Sequence, residues 1–466
     1  MTRRWITLLV VLGALLLVRA AVWLHRPVRQ TWPAPTKVAA SIPVPPAPDA
    51  VPSPSTTAAR PAERAPRPVR AAFDRLLAAL RSGDKARIRE ALEGVRREMA
   101  PAPVPDEENA ALLYKKAFAV HAGETDETDV DILGRLSEGK AITPAERAKL
   151  QGYLDRNREA LALLHEAAGR PRCNFGLEYA EGHAMEVPHI SPLLLSARLL
   201  EVEAALAGPD ARSEIARASL RLSEAVAEEP VMISQLVRTV LHGISSGVEE
   251  QEFAGVVSPE RLRSLLGLSP DRAREGYERV LLFELYSGVK FVTDGGNLKD
   301  VGIDGLSLRR ADDPLTTHDL EYFAKTMSDY AALAGRPYYE VREELERLRA
   351  ERVDGSPWYA ELTRAMLPSI SKALERQATT EASLGTMQLA AALRTWRDAH
   401  GAYPPTLEAV REVLPQIPLD PFTGKPYLYR REGEGFVVYT AGPSGIDGGG
   451  TFVPGVEQSV IFRSPR

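Results

Sequence analysis

Apolar positions recur every three or four residues from about Ala71 to Gln377, as in Leu193, Leu194, Ala197, Leu200, Ala204 and Leu206 before Gly208. That spacing lines one face of a helix. Capping hydroxyls precede prolines at Thr143-Pro144, Ser191-Pro192, Ser258-Pro259 and Ser269-Pro270, each marking a helix start. Another helix is expected from Glu107 to His121, with Glu107, Glu108 and Asn109 near the positive end of its dipole and Tyr114 inside it. About ten helices joined by short turns follow from this pattern. No tetratricopeptide signature recurs at fixed period, so an irregular helical bundle is expected first and a short solenoid second. The longest break, Asp294 to Pro314, is rich in Gly and Asp and reads as a loop.

After Thr379 the pattern changes. Ala382 to His400 carries an apolar stripe through Leu384, Met387, Ala391 and neighbours, and Gly401 stops it. A second short helix reaches Leu414, and Pro418 to Pro426 is dense in turn residues. Tyr427–Arg431 and Phe436–Thr440 alternate as strands around Glu432-Gly-Glu-Gly435, and Val460-Ile-Phe462 offers a third. The fold class is therefore mainly α: an N-terminal transmembrane helix, the helical body, and a small C-terminal α+β module with an antiparallel sheet.

The start of the chain has a different pattern again. Trp5 to Val18 holds no charge, Arg19 interrupts, and Ala20 to Leu24 resumes the apolar run behind the basic Arg3 and Arg4. A helix of about 20 residues spans the hydrocarbon core of a bilayer. Arg19 lies where its stem can snorkel, and Trp5 and Trp23 sit near the two edges. No good small-residue cleavage site follows, so residues 1–26 read as an uncleaved signal anchor contacting the bilayer through residues 5–24. That places the chain in the cytoplasmic (inner) membrane as a single-pass protein with its bulk extracytoplasmic. Residues 27–70 hold twelve prolines. Such a segment cannot bury enough apolar surface to order itself, and it reads as a disordered stalk with a reach on the order of 135 Å. The expected organisation is anchor 1–26, stalk 27–70, helical domain 71–378 and α+β domain 379–466.

The 466 residues carry a formal charge of −5, which gives no nucleic-acid-binding footprint. Cys173 is the one cysteine, so an intrachain disulfide and cysteine-rich metal sites are excluded. Gly243-Ile-Ser-Ser-Gly247 matches the nucleophile-elbow string around Ser245, but helical spacing precedes it where a strand is required. Small residues that let two helices approach closely explain it better. His165-Glu166 lacks the second histidine of a zinc-protease helix. Cys173, His183 and His189, among Glu178, Glu181 and Glu186, offer soft and imidazole ligands at a spacing that matches no standard zinc site. No phosphate-gripping glycine loop occurs, so no catalytic residue and no organic cofactor is assigned, and the balance leans away from an enzyme.

Ala391-Ala-Leu-Arg-Thr-Trp-Arg-Asp-Ala-His-Gly-Ala-Tyr-Pro404 is followed by Thr406-Leu-Glu408, Pro418-Leu-Asp-Pro421, Gly424-Lys-Pro-Tyr427 and Tyr439-Thr-Ala-Gly442. These spaced elements resemble the C-terminal region of the type II secretion major pseudopilin. The resemblance covers under a fifth of the chain, and the whole is similar to membrane-anchored helical proteins that end in such a tail. Pseudopilins begin with a prepilin peptidase site and a glutamate in the apolar run. Met1 to Leu24 has no acidic residue, so a processed fibre subunit is not expected. The resemblance also implies calcium in the loop after the last tyrosine strand, here Gly442-Pro-Ser-Gly-Ile-Asp-Gly-Gly-Gly450. Asp447 is its sole carboxylate and the one metal candidate, with Ser444 and carbonyls beside it. Calcium takes six to eight oxygens, so a single charge predicts weak binding.

The leading expectation is a membrane-anchored envelope protein with a structural or protein-interaction role, its C-terminal domain docking envelope partners. The resemblance points to type II secretion or pilus-like machinery as their source. Two alternatives stand beside it. One is an envelope hydrolase using the Cys173–His189 stretch or Ser245. The other is a peptide- or lipid-binding module with a groove lined by Tyr338, Tyr339 and Trp358.

Overall fold

The computed structural model describes residues 68–137, 140–296, 313–451 and 460–464. The expected anchor and residues 27–67 of the expected stalk lie outside the described residues, whereas residues 68–70, expected as the end of the stalk, already belong to the first helix. Among these residues, no helix is long and apolar enough to cross a membrane.

Among the described residues, fourteen α-helices precede the long one, more than the sequence pattern suggests, because short turns of helix such as Pro259–Leu266 and Glu361–Met366 carry too few residues to show a period. In chain order they are α1 (Pro68–Ser82), α2 (Lys85–Met99), α3 (Ala110–Val120), α4 (Glu127–Ser137), α5 (Pro144–Arg156), α6 (Arg158–Ala167), α7 (Ile190–Leu206), α8 (Pro209–Ser223), α9 (Met232–Phe253), α10 (Pro259–Leu266), α11 (Tyr277–Thr293), α12 (Pro314–Ala334), α13 (Tyr338–Arg349) and α14 (Glu361–Met366). The long helix α15 (Pro368–His400) follows. Thr143 forms a full capping box with Glu146 at the start of α5, and Ser258 accepts the N–H of Arg261 at α10. Ser191 is no cap, since α7 begins at Ile190. Ser269 precedes only a 3₁₀ turn, Pro270–Arg274, and makes no capping bond. Helix α3 starts later than expected because Asn109 caps it, accepting the N–H of Ala111 at 3.1 Å.

Among the described residues four apolar clusters form, three large ones and a small one of Ala378, Ala382 and Phe422. Helices α3 to α9 enclose one, around Leu113, Leu164, Leu199 and Leu241. Helices α1 and α2 pack against α11 and α12 in another, around Leu76, Leu281, Phe323 and Met327. The chain thus leaves the first core it starts, builds a second, and returns to close the first. In a solenoid each repeat touches only its neighbours. This long-range closure makes the body an irregular bundle.

The third cluster belongs to the tail and to the body together. Leu384, Met387 and the continuous run Leu389 to Leu393 of α15 are buried, packed against Phe253, Leu262 and Leu265 from α9 and α10 and against Tyr403, Phe436 and Phe462. A helix apolar all round must be enclosed on every side. The other end of α15 places Ile370, Ala373 and Leu374 in the first core. One uninterrupted helix therefore serves both units. The boundary expected between 378 and 379 falls inside it, since nothing in residues 368–382 breaks the helical ladder.

The sheet has the order β1 (Leu428–Glu432), β2 (Gly435–Tyr439), β3 (Ile461–Arg463), all antiparallel. Each strand lies within one residue of its expected place. Gly433, at φ +60°, takes the first position of the two-residue β1–β2 turn, the left-handed geometry that matches hairpin twist. Residues 407–412 form a 3₁₀ turn in place of the expected short α-helix.

Close packing makes one glycine of α15 decisive. A Cβ on Gly385 would collide with the Tyr427 hydroxyl oxygen. Alanine normally gains about 1 kcal/mol over glycine inside a helix. Overpacking a filled site costs about 1–3 kcal/mol and exceeds that gain here, since buried Tyr427 has nowhere to go. Gly385→Ala is expected to lower the thermal midpoint by a few degrees, and adding Tyr427→Phe should recover part of the loss. A G385A midpoint equal to or above the parent's would contradict this packing.

Candidate functional site

The Pro418-Leu-Asp-Pro421 string is built around a buried carboxylate. Asp420 accepts the N–H of Phe422 at 2.8 Å through Oδ1 and the N–H of Ala441 at 3.1 Å through Oδ2. Its own N–H donates to the Lys425 carbonyl, and its carbonyl accepts from Gly424. One side chain thereby ties the turn to the end of β2. Burial raises the Asp420 carboxyl above its ordinary range, opposed by those N–H donors.

The same turn is seated on the body. Phe422 meets Tyr338 edge-on at 5.9 Å, and the Tyr339 N–H donates to the Pro421 carbonyl at 3.0 Å. Tyr338 and Tyr339, expected as groove aromatics, instead hold the tail in place. Trp358 lies apart on an exposed loop with its ring against Tyr359. Beside this seat, α12, α13 and α15 leave a shallow cleft with Arg274, Arg336, Gln377 and Glu381 among its walls. Its volume is about 10 Å³, room for one water rather than a ligand. Arg274 and Glu381 pair across it, and burial pushes the Glu381 carboxyl up to about 7 against the pull of Arg274.

A second seam joins β3 to α9 and α10. Phe462 lies between Phe253 of α9 and Phe436 of β2. The Arg463 N–H donates to Glu250 at 2.8 Å. Behind it, Glu249 and Glu252 are fully buried on α9 and share the guanidinium of Arg261 from α10. Two carboxylates facing one cation leave a net negative charge out of water. Burial raises Glu249, with Arg261 opposing and Glu252 adding to the rise. Burial also pushes Glu250 up to about 7 against the Arg463 N–H.

The chemistry proposed from sequence is dispersed. His189 is buried, stacks on Phe175 at 4.2 Å and pairs with Glu229 at 3.0 Å. His183 instead meets Phe291 edge-on at 5.5 Å. The Cys173 thiol is pushed up to about 12, first by burial and then by Glu229, the opposite of what a nucleophile needs. His165 pairs with Glu203 at 2.9 Å across α6 and α7. Among the described residues, no group of three His, Cys, Asp or Glu is placed to hold a metal ion.

Ser245 is buried in mid-helix within α9, without the strand and tight turn of a nucleophile elbow. Gly247 does not mark a close helix approach, since a Cβ there would meet nothing within 4 Å, while Ser245 packs into the interior. A different constellation nearby has the composition of a hydrolytic triad. Ser223 Oγ lies 3.4 Å from His242 Nδ1, and His242 Nε2 faces Glu224. It is built for stability. Ser223 gives its one proton to the Leu220 carbonyl at 2.7 Å, and both Ser223 and His242 are wholly buried. Burial pushes Glu224 up, but Arg238, at 2.7 Å, and His242 outweigh it and hold the carboxyl well below the usual range. These ionic clusters had a signal in sequence: Glu249 and Glu252 interrupt the apolar face set by Leu241, Ser245 and Val248.

Asp447 does not gather a calcium donor set. Its Oδ1 accepts the Tyr439 hydroxyl at 2.9 Å and the Gly449 N–H at 2.7 Å. Ser444 Oγ accepts the N–H of Ile446 at 3.3 Å. The carbonyls of Gly449 and Gly450 accept from arginine side chains. With one carboxylate engaged and two carbonyls already facing cations, the described residues do not fit the ion. Compared with protein-family models, with curated proteins and with solved structures, the chain has no match in any of the three.

Proposed function

We propose that this protein is a membrane-anchored envelope protein with a structural or protein-interaction role. Residues 5–24 tether it to the inner membrane, the Pro-rich segment holds it off the bilayer, and the helix–sheet module is the docking element. Secretion or pilus-type machinery is the partner class its tail motifs favour. The observation that carries this reading is the continuity of α15 through two cores, with the module seated on α9, α10 and α13. A module fixed at both seams presents its outer surface in one orientation, so a partner loses little additional freedom in binding it. Leu419 and Ile446, large apolar side chains exposed on the module, suit contact positions.

The test places a photo-crosslinking residue at Leu419 or Ile446 in the full chain, in its own cells. The expected outcome is a detergent-dependent membrane protein, protease-accessible from the outer side of that membrane, that yields an adduct with an envelope secretion or pilus component. An intact chain recovered free in the cytosol defeats the tether. Absence of any adduct from both positions defeats the docking role.

A further inference from the structure

The loop after β2 is closed by positive charges that belong to the chain itself. Arg430 on β1 donates through Nη1 to the Gly449 carbonyl at 2.5 Å and through Nη2 to Glu432 at 2.6 Å. Arg463 on β3 donates through Nη2 to the Gly450 carbonyl at 2.6 Å and through Nη1 to the other oxygen of Glu432. The Glu432 side chain, 7 % exposed, sits between the two guanidinium groups and aims both at the loop. Charge-assisted bonds of this kind are among the strongest a protein makes, and the planar fork of arginine fixes direction as well as distance.

The charge count closes without a metal. Arg430 and Arg463 balance Glu432 and Asp447, and Asp447 holds the loop from its other side through Tyr439 and Gly449. A divalent cation placed on the Gly449 and Gly450 carbonyls would stand beside two guanidinium groups with, among the described residues, one carboxylate in reach. We infer that Arg430 and Arg463, oriented by Glu432, close the 442–451 loop in the place that the pseudopilin resemblance assigns to calcium. The ordering of this loop is therefore independent of divalent cations. The inference concerns the loop alone and stands whether or not the module docks a partner.

The test uses the full chain in detergent. Millimolar calcium against a chelator should move the thermal midpoint by less than about 1 °C, as expected for a ligand with no folded-state site. Arg430→Met and Arg463→Met, which keep the aliphatic stem, should each speed amide hydrogen exchange in residues 442–451 by about tenfold or more, and calcium should not reverse it. R430M serves if R463M fails to fold, because Arg463 also lies on the β3 seam. A midpoint raised by about 3 °C or more with calcium, and lost in D447N, would overturn the inference. Unchanged loop exchange in R430M would overturn it equally.

Discussion

Replacing Arg261 with methionine is expected to cost about 3–5 kcal/mol at neutral pH, the usual result of stripping a buried ion cluster of its cation. Glu249 and Glu252 are 0 % and 1 % exposed and, among the described residues, have no other cation in contact. The loss should depend on pH, with a definite sign. A carboxyl whose folded pKa is raised above its unfolded value contributes stability that is fully present below the unfolded pKa and disappears as pH rises through the folded one. Glu249 is raised, and Glu250, Glu284 and Glu381 are pushed up to about 7, by burial in each case. The parent should therefore be more stable at mildly acidic pH than above pH 7. Glu224, held low, works the other way and loses its contribution only in strong acid. Without Arg261, which opposes the rise, the Glu249 carboxyl is raised further, so R261M should approach the parent near pH 5 and fall away above it. Thermal unfolding across that range measures this. The triple variant R261M/E249Q/E252Q should recover most of the neutral-pH loss, because no uncompensated charge remains. A deficit in R261M that is the same at every pH would show that the guanidinium acts through packing alone.

Phe462→Ala should cost about 3–5 kcal/mol and should do so locally. Its ring is fully buried, edge-on to Phe253 at 5.2 Å and nearly parallel to Phe436 at 6.4 Å. Phe253 belongs to the body and Phe436 to the sheet, so the cavity opens on the seam that joins them. Hydrogen exchange should lose protection first at β2, β3 and the Arg463 N–H that bonds Glu250, with the α3–α9 core unaffected. Leu164→Ala, made in that other core, should cost a comparable amount and leave β2 and β3 protected. Uniform loss of protection in F462A would show that body and module unfold as one unit and would remove the seam as a separate step.

Two kinds of contact at the β3 seam bear on how the module is held. The apolar contact through Phe462 stabilises without regard to pH. Glu250 meets the module through the Arg463 N–H, a bond that favours its ionised carboxylate, while Glu249 pairs with Arg261 inside the body.

How far the sequence is legible depends on whether a feature is local. The Thr143 capping box, the stop at Gly401, the Gly433 turn and the three strands are each set by residues within a few positions, and each lies within one residue of its expected place. The Pro418–Pro426 turn was legible as a turn for the same reason. That Asp420 organises it through Ala441 was not, because the two are 21 positions apart. The Cys173, His183 and His189 cluster failed for the converse reason. Proximity along the chain does not carry over when a 3₁₀ turn, residues 179–184, sends one side chain toward α11 and another toward Glu229.

Periodicity and capping were enough to determine a helical body followed by a small antiparallel sheet, because those patterns act over one or two turns of chain. Only the tertiary structure decided that α1 and α2 close against α11 and α12, that α15 runs unbroken through two cores, and that Arg430 and Arg463 reach the carbonyls of Gly449 and Gly450. Those outcomes rest on contacts between residues tens to hundreds of positions apart, whose strength depends on what else is buried beside them, and no local pattern records that.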